Sequence, residues 1–146
     1  MREILFRGKR KDNGEYKKGD WVFGDLVRLK DGEKTLTMIY GFGEVDAETV
    51  GQYTGLTDKN GTKIFEGDII QTCRKGLRGE KTFKYVIKYG TYIPLEYCKD
   101  AYLQFETIGF YAFDGERSFQ LGNYLQMLEV IGNIHDNPEL LGGGEL

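Results

Sequence analysis

Glu66 and Asp68 stand two residues apart, and carboxylates so spaced are the first candidates for acid–base chemistry in this chain. Such chemistry needs a cleft that holds the two pKa values apart, one group protonated and the other ionised. Glu44, Asp46 and Glu48 form a similar group, as do Asp114 and Glu116. All lie in turn-like sequence, where charged side chains are ordinarily solvated, so a hydrolase using Glu66 and Asp68 is the weakest functional reading. The run Asp58-Lys59-Asn60-Gly61 superficially resembles a calcium loop. An EF-hand requires Gly at its sixth position and a bidentate Glu at its twelfth, whereas Gly61 stands fourth from Asp58. A hairpin turn with Asp58 and Asn60 bonded to backbone is the better account.

The other reactive residue types are sparse. With 1 His and 2 Cys, none of them closely spaced, composition argues against a zinc site. Cys73 and Cys98 make no disulfide framework, and each falls in a strand-like setting that suits a free thiol as a small hydrophobe. His135, beside Asp136-Asn137-Pro138, reads as a surface or capping residue rather than the base of a Cys–His pair. Gly41-Phe42-Gly43-Glu44 is followed by no Gly-Lys-Ser/Thr and is no phosphate loop. No catalytic, cofactor-binding or metal-binding residue is expected, and the chain is read as a non-enzyme without cofactor.

Charge is more informative. Residues 2–18 carry a net of +4 and residues 74–88 a net of +5, although the whole chain is at −3 with a pI near 5.3. Lys75, Arg78, Lys81, Lys84 and Lys88 are therefore a candidate surface for nucleic acid or another partner. Phe83, Tyr85, Tyr89 and Tyr92 interleave with the last of them, as rings and cations do on single-strand nucleic-acid platforms. Period-two parity offers a plainer account. Tyr85, Ile87 and Tyr89 share one strand face and Lys84, Val86 and Lys88 the other, so rings can enter a core while lysines meet water. The acidic pI also argues against a dedicated DNA binder.

The elements that would position these residues are strands. The chain of 146 residues has 10 Tyr, 9 Phe and 21 Gly but 2 Pro, a composition for strands joined by many tight turns. Turn signals fall at Asp12-Asn13-Gly14, Asp31-Gly32, Asn60-Gly61, Gly76 to Gly79 and Asp114-Gly115. In Asn-Gly and Asp-Gly hairpins both central residues are expected at positive φ. Strand patterns lie between them, and Thr35 to Tyr40 alternates polar and apolar. Helix signals are few: Pro94 to Leu103, Phe119 to Leu128, and one turn at Pro138 to Leu141 capped by Asn137. Gly-Asp before two large apolar residues links Gly19-Asp20-Trp21-Val22 with Gly67-Asp68-Ile69-Ile70, an echo that suggests two β units. The division expected is an N-terminal β-hairpin unit at 1–50, a second unit at 51–141 and a frayed tail at 142–146. No apolar run approaches the ~20 residues of a membrane span, and the N-terminus lacks a signal-peptide core. A cytoplasmic protein is expected.

Several phrases together resemble the YopX family of phage and prophage proteins. They are Glu3 to Lys9, Asp12 to Glu15, Gly24-Asp25-Leu26, Val50 to Leu56 with Asp58 to Gly61, Ile64 to Ile69, Val130 to Ile134 and Asn137 to Leu141. The chain departs from the family at His135, where an aromatic is usual, and at Tyr16 to Asp20, an added stretch before Trp21. The resemblance implies a mainly β fold with an SH3-like barrel in the second half, packed with the N-terminal unit, and one or two short helices. It implies a role inside a bacterial host cell and brings no catalytic residues. A non-enzymatic module contacting a host or phage protein, or associating with itself, is the leading functional expectation. A nucleic-acid-binding accessory protein using residues 74–88 is the alternative.

Overall fold

Strands and turns make up nearly all of the regular structure in the computed structural model, which describes residues 2–11, 19–94, 106–122 and 127–142. The chain divides into two compact units, Met1–Gly55 and Leu56–Leu146.

In the first unit β1 (Phe6–Lys9) runs antiparallel to β2 (Trp21–Gly24), while β3 (Leu26–Asp31), β4 (Lys34–Ile39) and β5 (Gly43–Glu44) form an antiparallel sheet. The start of β6 (Gly51–Thr57) pairs β1 on its other side, Phe6 opposite Gln52. Val22, Ile39 and Val45 are buried at the centre, with Phe6, Leu26 and Val50 against them. The alternation over Thr35–Tyr40 is real, but its buried positions are Thr37 and Ile39, with Leu36 and Met38 half-buried. Cross-strand pairing places Arg7, Lys9 and Trp21 on one face, and both cations lie over the indole, at 4.6 and 5.5 Å.

The second unit holds β7 (Lys63–Phe65) and an antiparallel sheet of five strands. In spatial order these are β11 (Ser118–Gln120), β10 (Thr107–Phe113), β9 (Gly79–Tyr92), β8 (Asp68–Gly76) and β12 (Glu129–Asn133). Ile64, Ile70, Tyr85, Ile87, Ala112 and Leu128 make its core, and Phe83, Phe119, Leu121 and Val130 pack around them.

The expected SH3-like barrel is not formed: this sheet is open. Closure would require the edge strands to exchange hydrogen bonds. Here β11 has 3 residues and meets only the end of β10, while β12 has 5 and is bulged between Val130 and Gly132. Between them β9 runs for 14 residues, so the edges are too short to follow it round. Short edges also present few unpaired backbone groups to other chains.

The expected short helices are likewise corrected. The described residues contain no α-helix; 3-10 turns stand at Ala47–Thr49 and Pro138–Leu141. Asp46 Oδ1 caps the first by accepting from Glu48 N. The second keeps Pro138 at its start, but Asn137 does not cap it, because its Oδ1 accepts from Asn133 N at 3.3 Å instead. That side chain sits against Gly132, where an added Cβ would come within 2.5 Å of Asn137 Oδ1. Gly142, expected in the frayed tail, ends the turn at φ 67° with its N–H on Glu139 O. Most of the Pro94–Leu103 span, the Asp12–Gly14 turn, Cys98 and residues 143–146 lie outside the described residues.

No described residue other than glycine has positive φ. Asn60 is therefore not left-handed; Gly61 alone carries the turn's positive φ, at 79°. The Gly-Asp echo survives in the backbone, with Gly19 at 94° and Gly67 at 89° ahead of β2 and β8. It fails in the side chains, since Asp20 is exposed and Asp68 is fully buried.

Candidate binding surface

Strands β8 and β9 place all five cations of the candidate surface. Arg74 pairs with Lys81, Lys75 with Glu80, and Gly76 with Gly79, leaving Leu77 and Arg78 as the tip. Directly opposed residues share a face. Arg74 and Lys81 thus lie on the core face with Thr72, Phe83 and Tyr85, whereas Lys75, Lys84 and Lys88 lie on the reverse face. Parity alone separates Lys81 from Lys84 and Lys88, a signal readable in the sequence. Every residue from Cys73 to Thr82 is exposed, so the ribbon projects from the sheet as an arm with both faces in solvent. It carries Arg74, Lys75, Arg78 and Lys81 against Glu80, a net of +3. Cys73 is exposed rather than packed, its sulfur 3.5 Å from Thr82 Oγ1.

Closer to the sheet the lysines are engaged. Lys84 Nζ donates to Leu140 O at 2.9 Å and fastens the C-terminal 3-10 turn to the reverse face. Lys88 Nζ lies 4.5 Å from the centre of the Phe113 ring, its diagonal neighbour on the same face. Tyr92 and Tyr111 stack there at 4.7 Å, with only the Gly90–Gly109 pair between them in the ladder. Of the interleaved aromatics, Tyr85 enters the core and Tyr89 remains 56% exposed.

At the root of the arm, on the core face, is a cavity of about 220 Å3. Its floor is Ile70, Tyr85, Ala112 and Leu128, its wall Phe119, and Thr72 and Arg74 add polar groups. Phe119 meets Tyr85 edge to face at 5.3 Å. Arg74 has no carboxylate partner among the described residues, and its guanidinium lies 5.6 Å from the Phe83 ring. Burial pushes the Tyr85 phenol above its usual range, and the nearby Arg74 charge partly counters this. Sequence reasoning did not single out Arg74. Its signal is the alternation Ile70, Thr72, Arg74, which sends every second residue of β8 to the core face.

The aspartates considered for chemistry are bound to backbone. Asp58 Oδ1 accepts from Asn60 N at 2.8 Å and Thr62 N at 2.9 Å, and Oδ2 accepts from Val130 N at 2.9 Å. Burial would raise its pKa, but these backbone donors and Lys59 outweigh that and hold it below the usual carboxylate range. Asp68, 2% exposed, accepts from Phe65 N at 2.7 Å across the turn that contains Glu66 and Gly67. Asp114 closes its own turn with Glu116 N, Arg117 N and the Arg117 guanidinium. Its pKa is lowered as well, burial being outweighed by those bonds. His135 N and Asp136 N both donate to Asn133 Oδ1, so His135 belongs to a tight turn after β12. Among the described residues no three of His, Cys, Asp and Glu gather as metal ligands, and no helix is long and apolar enough to cross a membrane.

The fold and these sites define a mostly antiparallel β protein with a basic hairpin arm and a small apolar cavity at its root. The chain belongs to the YopX family, since the family model described as YopX protein matches residues 5–142. No curated protein matches it. Among solved structures it is similar to protein EF1440 from Enterococcus faecalis, at 24% identity and a TM-score of 0.47, with 97% of this chain and 99% of that one covered.

Proposed function

We propose that the protein is a non-enzymatic binding module of phage or prophage origin that holds a protein partner with the Cys73–Thr82 arm and the cavity at its root. The observation that carries this reading is the arm itself. Its backbone is fully paired, yet both its faces and its apolar tip, Leu77, are exposed for the whole span. Charges held out on a hydrogen-bonded ribbon, next to an apolar recess, suit an acidic and partly apolar protein surface. The non-enzymatic part rests on Asp58, Asp68 and Asp114. Each spends its carboxylate on backbone N–H groups, and depressed pKa values at Asp58 and Asp114 are the reverse of what a general acid needs.

The test places a photocrosslinking residue at Leu77 and, in a second chain, at Leu29 of the β3–β4 hairpin. A discrete protein adduct from position 77 only, abolished by Arg74→Glu with Lys81→Glu and reproduced with the purified partner by calorimetry, is the expected result. Equal adducts from both positions, or none from 77, would overturn the reading.

A second reading is favoured by the net +3 of the arm, because a two-stranded ribbon has the width of a duplex major groove. Fluorescence polarisation with single-stranded DNA, duplex DNA and RNA across a salt series decides it. Binding that falls linearly in log–log form with salt, and vanishes with Lys75→Glu, Arg78→Glu and Lys81→Glu, would put nucleic acid in place of a protein partner. No binding at low salt retires it.

A further inference from the structure

The cavity at the root of the arm has the composition of a site for one chemical class. We propose that it binds a small apolar carboxylate, the ring or alkyl body against Phe119, Ala112 and Leu128 and the carboxylate on Arg74 and the Tyr85 hydroxyl. Size restricts the ligand first. At about 220 Å3 the space falls short of the ~300–1,000 Å3 that accepts drug-sized molecules, and suits a single ring or a short chain.

Polarity sets the head group. Tyr85 is 8% exposed and lines the cavity, so its ring is packed while its hydroxyl is a donor at the cavity's edge. A phenol hydroxyl at the edge of an apolar recess can donate to an acceptor held there. Arg74 supplies a guanidinium without a carboxylate partner close enough for its charge to act on that phenol. The other charges that reach Tyr85 are Asp114 and Arg117, which bond each other at 3.0 Å and largely cancel. One positive charge and one hydroxyl over an apolar floor favour an anion with two acceptor oxygens. An amine would be repelled, and a neutral analogue would lose the charge-assisted bond.

This inference rests on the cavity as a contact site, but it fails separately from the partner reading because its probes never touch the tip of the arm. Phenylacetate and hexanoate are titrated into the full chain and followed by methyl and amide NMR, with phenylacetamide and phenethylamine as controls. The expected result is saturable shifts at Ala112, Leu128 and Ile70 with both acids, and at least tenfold weaker shifts with both controls. Arg74→Gln should weaken phenylacetate about tenfold with unchanged melting temperature, while Leu77→Ser leaves it intact. Phenylacetamide binding as well as phenylacetate, or no saturable shift with either acid at millimolar concentration, would overturn the proposal. A peptide ending in Phe with a free carboxylate identifies the source: tighter binding than phenylacetate means a protein C-terminus, and equal or weaker binding a free acid.

Discussion

The Asp58–Gly61 turn and the Cys73–Thr82 arm are both charged hairpin ends of the second unit, and they use their charges in opposite ways. Asp58 is 6% exposed and spends its carboxylate on three backbone N–H groups, one of them 72 residues away on β12. The arm exposes all ten of its residues, and among the described residues Arg74, Lys75, Arg78 and Lys81 have no ion-pair partner. A charge consumed by the fold is unavailable for recognition; a charge the fold does not need is free to serve it. Residue type does not distinguish the two, since both are short polar runs with glycine.

The comparison breaks most visibly at Asp58. Asp58→Ala leaves three N–H groups without their acceptor and should cost about 3 kcal/mol, read by urea denaturation. Asp58→Asn keeps an acceptor for the turn but loses charge at Val130, and should fall between. If Asp58→Ala were neutral, the turn would be as dispensable as the arm and the contrast would vanish.

Next come Asp68→Ala and Gly67→Val, each expected to cost about 2 kcal/mol, the first by orphaning Phe65 N and the second by forcing a β-branched residue to φ 89°. Melting temperatures should fall with secondary structure retained. A variant of unchanged stability that lost a measured activity would contradict a purely structural role.

Acid gives the sign of the same effect. Asp58 and Asp114 have folded pKa values below the ordinary 3.8, so both bind protons less readily in the folded state. Their stabilisation is complete above that unfolded value and is lost as pH falls through the lower folded ones. Stability should therefore decline below about pH 4, and Asp58→Asn should flatten that decline. The smallest effect belongs to the arm: Lys75→Ser and Lys81→Ser should each stay within about 0.5 kcal/mol of the parent. A larger loss would mean that the arm, like Asp58, is part of the scaffold.

Local chemistry made much of the fold legible. Gly67 and Asp68 announce a turn into a buried strand because the bonds concerned join residues 3 apart, Phe65 N to Asp68 Oδ2. Gly61 and Gly79 announce hairpins because only glycine takes their φ without strain. Tyr53, Ile64, Phe65, Ile69 and Ile70, the large apolar residues spaced among those turns, are all buried. The candidate surface was legible only in part. Its basic segment is exposed at the arm, but Lys84 is tied to Leu140, 56 residues away, and no local pattern reports that bond.

The sequence by itself determined a hairpin-rich β protein: its composition, its turn glycines and its strand-entry aspartates act over a few residues and need no knowledge of the rest. Only the tertiary structure decided that the second sheet stays open, that its β8–β9 ribbon outruns its neighbours as an arm, and that Arg74 and Tyr85 border one cavity. Those outcomes depend on which strands pair and where each pairing stops. Strand lengths and register are settled by contacts between residues far apart in the chain, Asp58 with Val130 and Lys84 with Leu140 among them, and local propensity does not specify them.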